Sequence, residues 1–147
     1  MHRRIFIAAG ATAAAVGIWI SCFATPATAK NLTLETLSGS QLASDPDTLL
    51  VDIRRPEEWK EIGVIEGALL VTYKSPESFL KIVAPKLVDG QRLALICRSG
   101  NRTSRASQQL AGLVDFDVVD VQGGILRVLR EGYSPVKLSR KMGCQTC

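Results

Sequence analysis

From Thr48 onward, short apolar runs alternate with longer stretches in which apolar residues recur every three or four positions. Turn-forming residues separate the two kinds. "TLLVDI" at 48–53 follows the turn signal "SDPD" and reads as a buried strand. "PEEW" comes next, and Pro56 suits the first turn of a short helix. "GALLV" at 67–71 predicts a second strand. "SPESFLKIVAPKLV" predicts a helix with Ser75 as N-cap, Pro76 at its first position and a break near Pro85. "RLALIC" at 92–97 is again a buried strand. "TSRASQQLAGLV" then places Ala106, Leu110, Leu113 and Val114 on one helical face. "DVVDV" at 117–121 is a strand, and "GILRVLREG" is a short helix ended by Gly132. Strands alternating with helices predict an α/β domain: a mostly parallel central sheet with helices on both faces.

The first thirty residues break this pattern. A start ending in Arg3 and Arg4, a nearly all-apolar run over 5–23, and "ATPATA" with Ala27 and Ala29 make a signal peptide over residues 1–29. "RRIFI" is similar to the twin-arginine consensus, with His2 where that consensus prefers Ser or Thr, and the general secretory route stays open. Export to the bacterial periplasm is the expectation. An uncleaved membrane anchor is one alternative, since a run of this length can just span a bilayer. A lipoprotein cleaved before Cys22 is another, against which "WIS" is a poor lipobox.

Cleavage changes the inventory. Lys+Arg falls from 18 to 16 with the loss of Arg3 and Arg4, Asp+Glu stays at 14, and the net charge drops from +4 to +2. Nucleic-acid binding, which needs basic residues massed on a face, is not expected. His2, the chain's one histidine, leaves with the leader. Cys-His and Ser-His-Asp catalysis and a Cys/His zinc site are thereby excluded from the remainder. Three cysteines stay: Cys97 and the C-x-x-C pair Cys144 and Cys147 in the tail at 139–147. An odd count in an exported protein points to one free thiol.

Cys97 ends an apolar run and is followed by Arg98, Ser99, Gly100, Asn101 and Arg102 in a six-residue loop that feeds a helix starting near Thr103. Ligands of open α/β sheets bind beyond the carboxyl ends of strands. Gly100 permits a backbone turn with inward N–H groups, the helix start adds a positive dipole end, and two arginines add charge. Each feature favours a bound anion, and each favours thiolate over thiol. A cysteine after an apolar run, taken alone, is a small core residue; the loop at its shoulder shifts the reading to a nucleophile.

"CRSGNRTS" resembles the active-site loop of the rhodanese family of sulfurtransferases. "VDIRRPEEWKEIGVIEGALLV" at 51–71 is similar to the family's first signature, and "VDVQGGILRVLREGYSPV" at 119–136 to its closing one. The resemblance implies a rhodanese-like three-layer domain over residues 30–138. It also implies a sulfur shuttle in which Cys97 takes sulfane sulfur from a small anionic donor such as thiosulfate. As a persulfide, Cys97 then passes that sulfur to cyanide or to a thiol, including that of a thioredoxin-like protein. Arg98 and Arg102 would bind the donor oxyanion, and the backbone N–H groups from Arg98 to Thr103 would hold the persulfide. No metal and no cofactor is implied. Asp52 and Arg54 match the first signature in supporting roles, with Asp52 holding the loop or a nearby arginine and Arg54 pairing with an acid such as Glu58. Trp59 is expected in the core. Val64 stands where the family often has His, and Leu129 or its neighbour where it often has Trp. Arg102 lies five positions after Cys97; related phosphatases and arsenate reductases have one residue more, so the loop is sized for sulfur.

The tail admits three readings: a structural disulfide, an internal sulfur acceptor or resolving pair, and a soft-metal site. Besides a sulfurtransferase, an envelope thiol or persulfide redox enzyme using that pair and a non-catalytic binding module are therefore carried forward. A monomer is expected, since nothing resembles a zipper or an exposed apolar stripe.

Overall fold

In the computed structural model of the protein, residues 31–144 are described. The leader expected at 1–29, with its export and anchoring alternatives, and Cys147 lie outside them. Five parallel strands form one sheet: β1 (Leu32–Glu35), β2 (Thr48–Asp52), β3 (Leu69–Leu70), β4 (Arg92–Ile96) and β5 (Val118–Val121), in the order β1-β5-β4-β2-β3. The helices are α1 (Gly39–Ser44), α2 (Pro56–Ile62), α3 (Pro76–Val83), α4 (Asn101–Ala111) and α5 (Gly124–Arg130).

Period-two alternation on the central strands builds two cores. Leu93, Leu95 and Cys97 face a layer with Phe79 and Val83 of α3 and Ala106, Leu110 and Ala111 of α4. Ala94 and Ile96 face the opposite layer, with Leu42 of α1 and Ile125 and Val128 of α5. The expected three-layer α/β architecture is therefore present. β4, flanked by β5 and β2, is apolar on both faces because both faces are covered.

Several boundaries differ from the sequence reading. β3 has two residues rather than five, because only Leu69 and Leu70 pair with β2. α3 stops at Val83, and Pro85 sits in a 3-10 turn over Ala84–Lys86, as the proline break predicts. α4 begins at Asn101, not near Thr103, so Arg102 belongs to its first turn. It ends at Ala111, which leaves Leu113 exposed rather than on the buried face. β1 and α1 were not anticipated. β1 is a four-residue edge strand without buried positions. α1 did leave a signal, the capping box between Ser38 and Gln41.

A fully buried ion pair stands where β2 gives way to α2. The guanidinium of Arg54 donates from Nε to both oxygens of Asp52 and from a terminal nitrogen to Oδ2 at 2.7 Å, with both side chains 0% exposed. Its remaining donors reach the carbonyls of Glu58 at 3.2 Å and Gly63 at 2.7 Å, the start and end of the last turn of α2. Arg54 was expected to pair with Glu58 through its carboxylate; it takes the Glu58 carbonyl instead, and its charge partner is Asp52, two residues back. Asp52 does hold a nearby arginine. Trp59 is buried, against Val64, Leu70 and Cys144.

Removing Asp52 strands the Arg54 charge in the core. Asp52→Ala is expected to lower unfolding free energy by about 3–5 kcal/mol in urea titration, and Asp52→Leu combined with Arg54→Met to recover much of that loss. Equal losses in the single and double variants would mean that packing, not charge, governs this position.

Candidate active site

Cys97 directly follows β4 and is 1% exposed. The N–H of Gly100 donates to its Sγ at 3.2 Å, and Thr103 Oγ1 lies 3.8 Å from the sulfur. Gly100 turns the chain from loop to helix with φ +98°, a conformation glycine adopts without strain. Its carbonyl then accepts from Ser104 N–H at 3.0 Å and Thr103 Oγ1 at 2.8 Å. The sulfur therefore sits at the positive end of the eleven-residue α4.

The opposite wall of the loop is α5. The N–H of Ile125 donates to the Cys97 carbonyl at 2.8 Å and that of Leu126 to the Arg98 carbonyl at 3.1 Å. Both carbonyls are thus satisfied by a helix start whose own first N–H groups lack intrahelical partners. Such close approach requires Gly124: it has φ +59°, and a Cβ there would lie 2.5 Å from the Cys97 carbonyl oxygen. The paired glycines of "VQGG" lie in the stretch similar to the closing signature, and the structure gives Gly124 its function, the docking of α5 on the loop.

The loop arginines carry counter-charges from α2. Arg102 makes a two-pronged contact with Glu58, at 2.7 and 2.6 Å, and Glu58 also accepts from the Arg55 N–H at 3.1 Å. These bonds, Arg102 first, hold the Glu58 carboxyl down at about 2 against the opposing effect of burial. Arg102 is pushed up chiefly by Glu58, with smaller contributions from the charges of Cys97 and Asp52. Arg98, 44% exposed, lies 3.6 Å from Glu61. Ser99 and Asn101 are exposed. The structure thus gathers Cys97, Gly100, Arg102 and Thr103 with Asp52 and Arg54 behind them, and among the described residues the sulfur's hydrogen-bond partners are the Gly100 N–H and the Thr103 hydroxyl. Glu58 is the site residue misassigned from sequence; its position in "PEEW" marked an acid, but not which arginine it meets.

Cys144 is elsewhere. It is buried and disulfide-bonded, in the cluster with Trp59, Val64 and Leu70, whereas Cys97 is free and belongs to the α3–α4 core. Among the described residues no three His, Cys, Asp or Glu side chains group as a metal site.

The rhodanese-like domain family model matches residues 38–134. A tRNA uridine(34) hydroxylase from Brucella anthropi is 35% identical over 92 residues, 61% of this chain and 30% of that protein. A rhodanese-related protein from Thermoplasma volcanium is similar in structure at 29% identity and a TM-score of 0.53, over 69% of this chain and 97% of that one. The rhodanese-like domain of a protein from an Anabaena species shares the fold at 18% identity and a TM-score of 0.51, over 76% and 83% of the two chains.

Two outcomes are expected. Gly124→Ala forces a Cβ against the loop carbonyls and should destabilise the protein by roughly 1–3 kcal/mol. Hydrogen exchange should then accelerate at the Ile125 and Leu126 amides, and unchanged protection there would refute the docking role. The second concerns pH. Because the folded-state pKa of Glu58 is depressed, its stabilisation is complete above the ordinary carboxylate value of 4.5 and is lost as pH falls toward about 2. The stability gap between wild type and Glu58→Gln should be flat from pH 5 to pH 8 and close below pH 4, as read by denaturant titration at each pH.

Proposed function

The chain belongs to the rhodanese-like domain family, and from that membership and the geometry at Cys97 we propose that it is a sulfurtransferase working through a Cys97 persulfide. The observation that carries the proposal is the Cys97 sulfur held under the Gly100 N–H at 3.2 Å, at the start of α4. A backbone donor and a helix dipole stabilise negative charge on sulfur before and after transfer.

The thiolate attacks the outer sulfur of a sulfane-sulfur donor. With thiosulfate, the donor's S–S bond breaks and sulfite leaves with the bonding pair. An acceptor, cyanide or a thiolate, then attacks the terminal sulfur of the persulfide, and the Cys97 thiolate departs. No net redox change occurs, and no metal, cofactor or general base takes part. Arg102 and Arg98 would orient an anionic donor, which must share Arg102 with Glu58 and Arg98 with Glu61.

The burial of Cys144 in a cluster other than that of Cys97, and within a disulfide, supports a structural role for that cysteine outside the cycle. Tail thiols would then not serve as resolving groups. The signal-like sequence at 1–29 is the ground for placing this work in the bacterial envelope; small donors and thiols are the proposed partners, and a net charge of +2 after cleavage gives no ground for nucleic-acid binding. The chain spans about 30% of the tRNA uridine(34) hydroxylase it matches, so tRNA hydroxylation is not extended to it.

The test is intact mass with cysteine mapping after thiosulfate treatment. One added sulfur on Cys97, its loss on adding cyanide, and turnover at the background rate in Cys97→Ser are expected. Sulfur on Cys144 or Cys147 instead would move the chemistry to the tail. A well-folded protein that takes up none would leave a binding module.

A further inference from the structure

The positive charges nearest the sulfur are already answered: Arg102 by Glu58 and Arg98 by Glu61. One turn along α4 the pattern changes. Arg105 is exposed and makes no ion pair or hydrogen bond among the described residues. It borders a cavity of about 210 Å³ together with Tyr73, Arg102, Ala106 and Gln109. Positions 102, 105, 106 and 109 follow helical spacing, so one face of α4 forms a wall of the cavity. The Tyr73 hydroxyl donates to Gln109 Oε1 at 2.9 Å, which fixes the amide and leaves its NH₂ group as a donor. Burial first, then the nearby charge of Glu77, pushes the Tyr73 hydroxyl up, so it remains a donor. Glu77, the acid near this rim, is itself held ionised by the start of α3, by Ser75 and by Lys81.

Arg102 connects this cavity to the reactive sulfur, because it lines the cavity and also feels the Cys97 charge. Ala106 and Tyr73 pack in the same apolar cluster as Cys97. Gly100, whose N–H bonds the sulfur, and Arg105 are five residues apart along α4, a rise of about 7.5 Å, which a short carbon chain and the Arg105 side chain together bridge.

We propose that the Tyr73–Arg105–Gln109 cavity is a carboxylate-docking subsite for the sulfur acceptor, and that this acceptor is a small thiol carrying a carboxylate two or three carbons from its sulfur. The inference rests on the sulfurtransfer reading above and names its acceptor class. Arg105 and the Gln109 amide take the carboxylate, and Ala106 supports the short carbon chain. The acceptor thiolate attacks the outer sulfur of the Cys97 persulfide, the S–S bond to Cys97 breaks, and Cys97 leaves as thiolate. The product is the persulfide of the acid. Uncharged thiols of the same length lack the anchor.

The decisive comparison uses full-length protein with 3-mercaptopropionate and 3-mercaptopropionamide as acceptors. The acid should show a KM lower by roughly 5- to 10-fold. That preference should vanish in Arg105→Ala and persist in Arg130→Ala, whose side chain is exposed on α5. Equal KM values for acid and amide in the wild type, or a preference that survives Arg105→Ala, would overturn the subsite. A second measurement needs no sulfur transfer: titration with 3-(methylthio)propionate, followed by NMR at the Gln109 side-chain amide and the Arg105 Nε–H. A saturable shift abolished by Arg105→Ala is expected, and its absence would also overturn the subsite. A shift together with no sulfur on Cys97 would keep the subsite and sink the sulfurtransfer reading instead.

Discussion

The buried ion pair between Asp52 and Arg54 is the constraint from which the site is built. Two charges without solvent exposure carry a desolvation penalty of several kcal/mol each, which is offset only if every donor and acceptor is satisfied. Arg54 bonds through all three guanidinium nitrogens, to Asp52 and to the carbonyls of Glu58 and Gly63. The ion pair therefore fixes α2 relative to β2. With α2 in place, the Glu58 carboxylate meets Arg102 in the first turn of α4. That turn in turn sets the Gly100 N–H over the sulfur. A charge pair with no contact to Cys97 thus governs where the Cys97 sulfur sits.

The electrostatics of the site divide into two kinds. Side-chain charges near the mouth come in opposite pairs, so their fields largely cancel at a distance. The field at the sulfur is supplied by fixed backbone dipoles, the Gly100 amide and the start of α4, which need no reorganisation as charge moves on and off the sulfur. In the proposed cycle, those dipoles face the sulfur both before and after transfer. Farther out on α4, Arg105 has no counter-charge among the described residues, and there the proposed recognition of the acceptor takes place.

The second wall depends on absence of side chains. α5 approaches the loop so closely that Gly124 has no room for a Cβ, and the carbonyls of Cys97 and Arg98 end on its first N–H groups. The helix dipole of α4 and the donors of α5 therefore meet at one loop, one acting on the sulfur and the other on the backbone that carries it. At the far edge of the sheet the tail packs Cys144 on Trp59 and Leu70, beside the short strand β3. That packing covers apolar surface of α2, the helix that supplies Glu58.

The α/β alternation, the strand leading into Cys97 and the break at Pro85 were legible along the chain, because each depends on local periodicity or on a residue's own backbone limits. The sequence also made α1 legible in principle, through Ser38 and Gln41. It could not assign partners among charges. Asp52, Arg54, Glu58, Glu61, Arg98 and Arg102 permit several pairings, and the choice depends on how α2 lies against β2 and α4, which is a matter of three-dimensional packing. Nor could it show that Gly124 faces the Cys97 carbonyl, that Cys144 lies in a cluster apart from Cys97, or that Arg105 opens on a cavity next to Arg102. Those relations depend on how elements from distant parts of the chain pack against one another, and spacing along the chain does not set distances across the sheet.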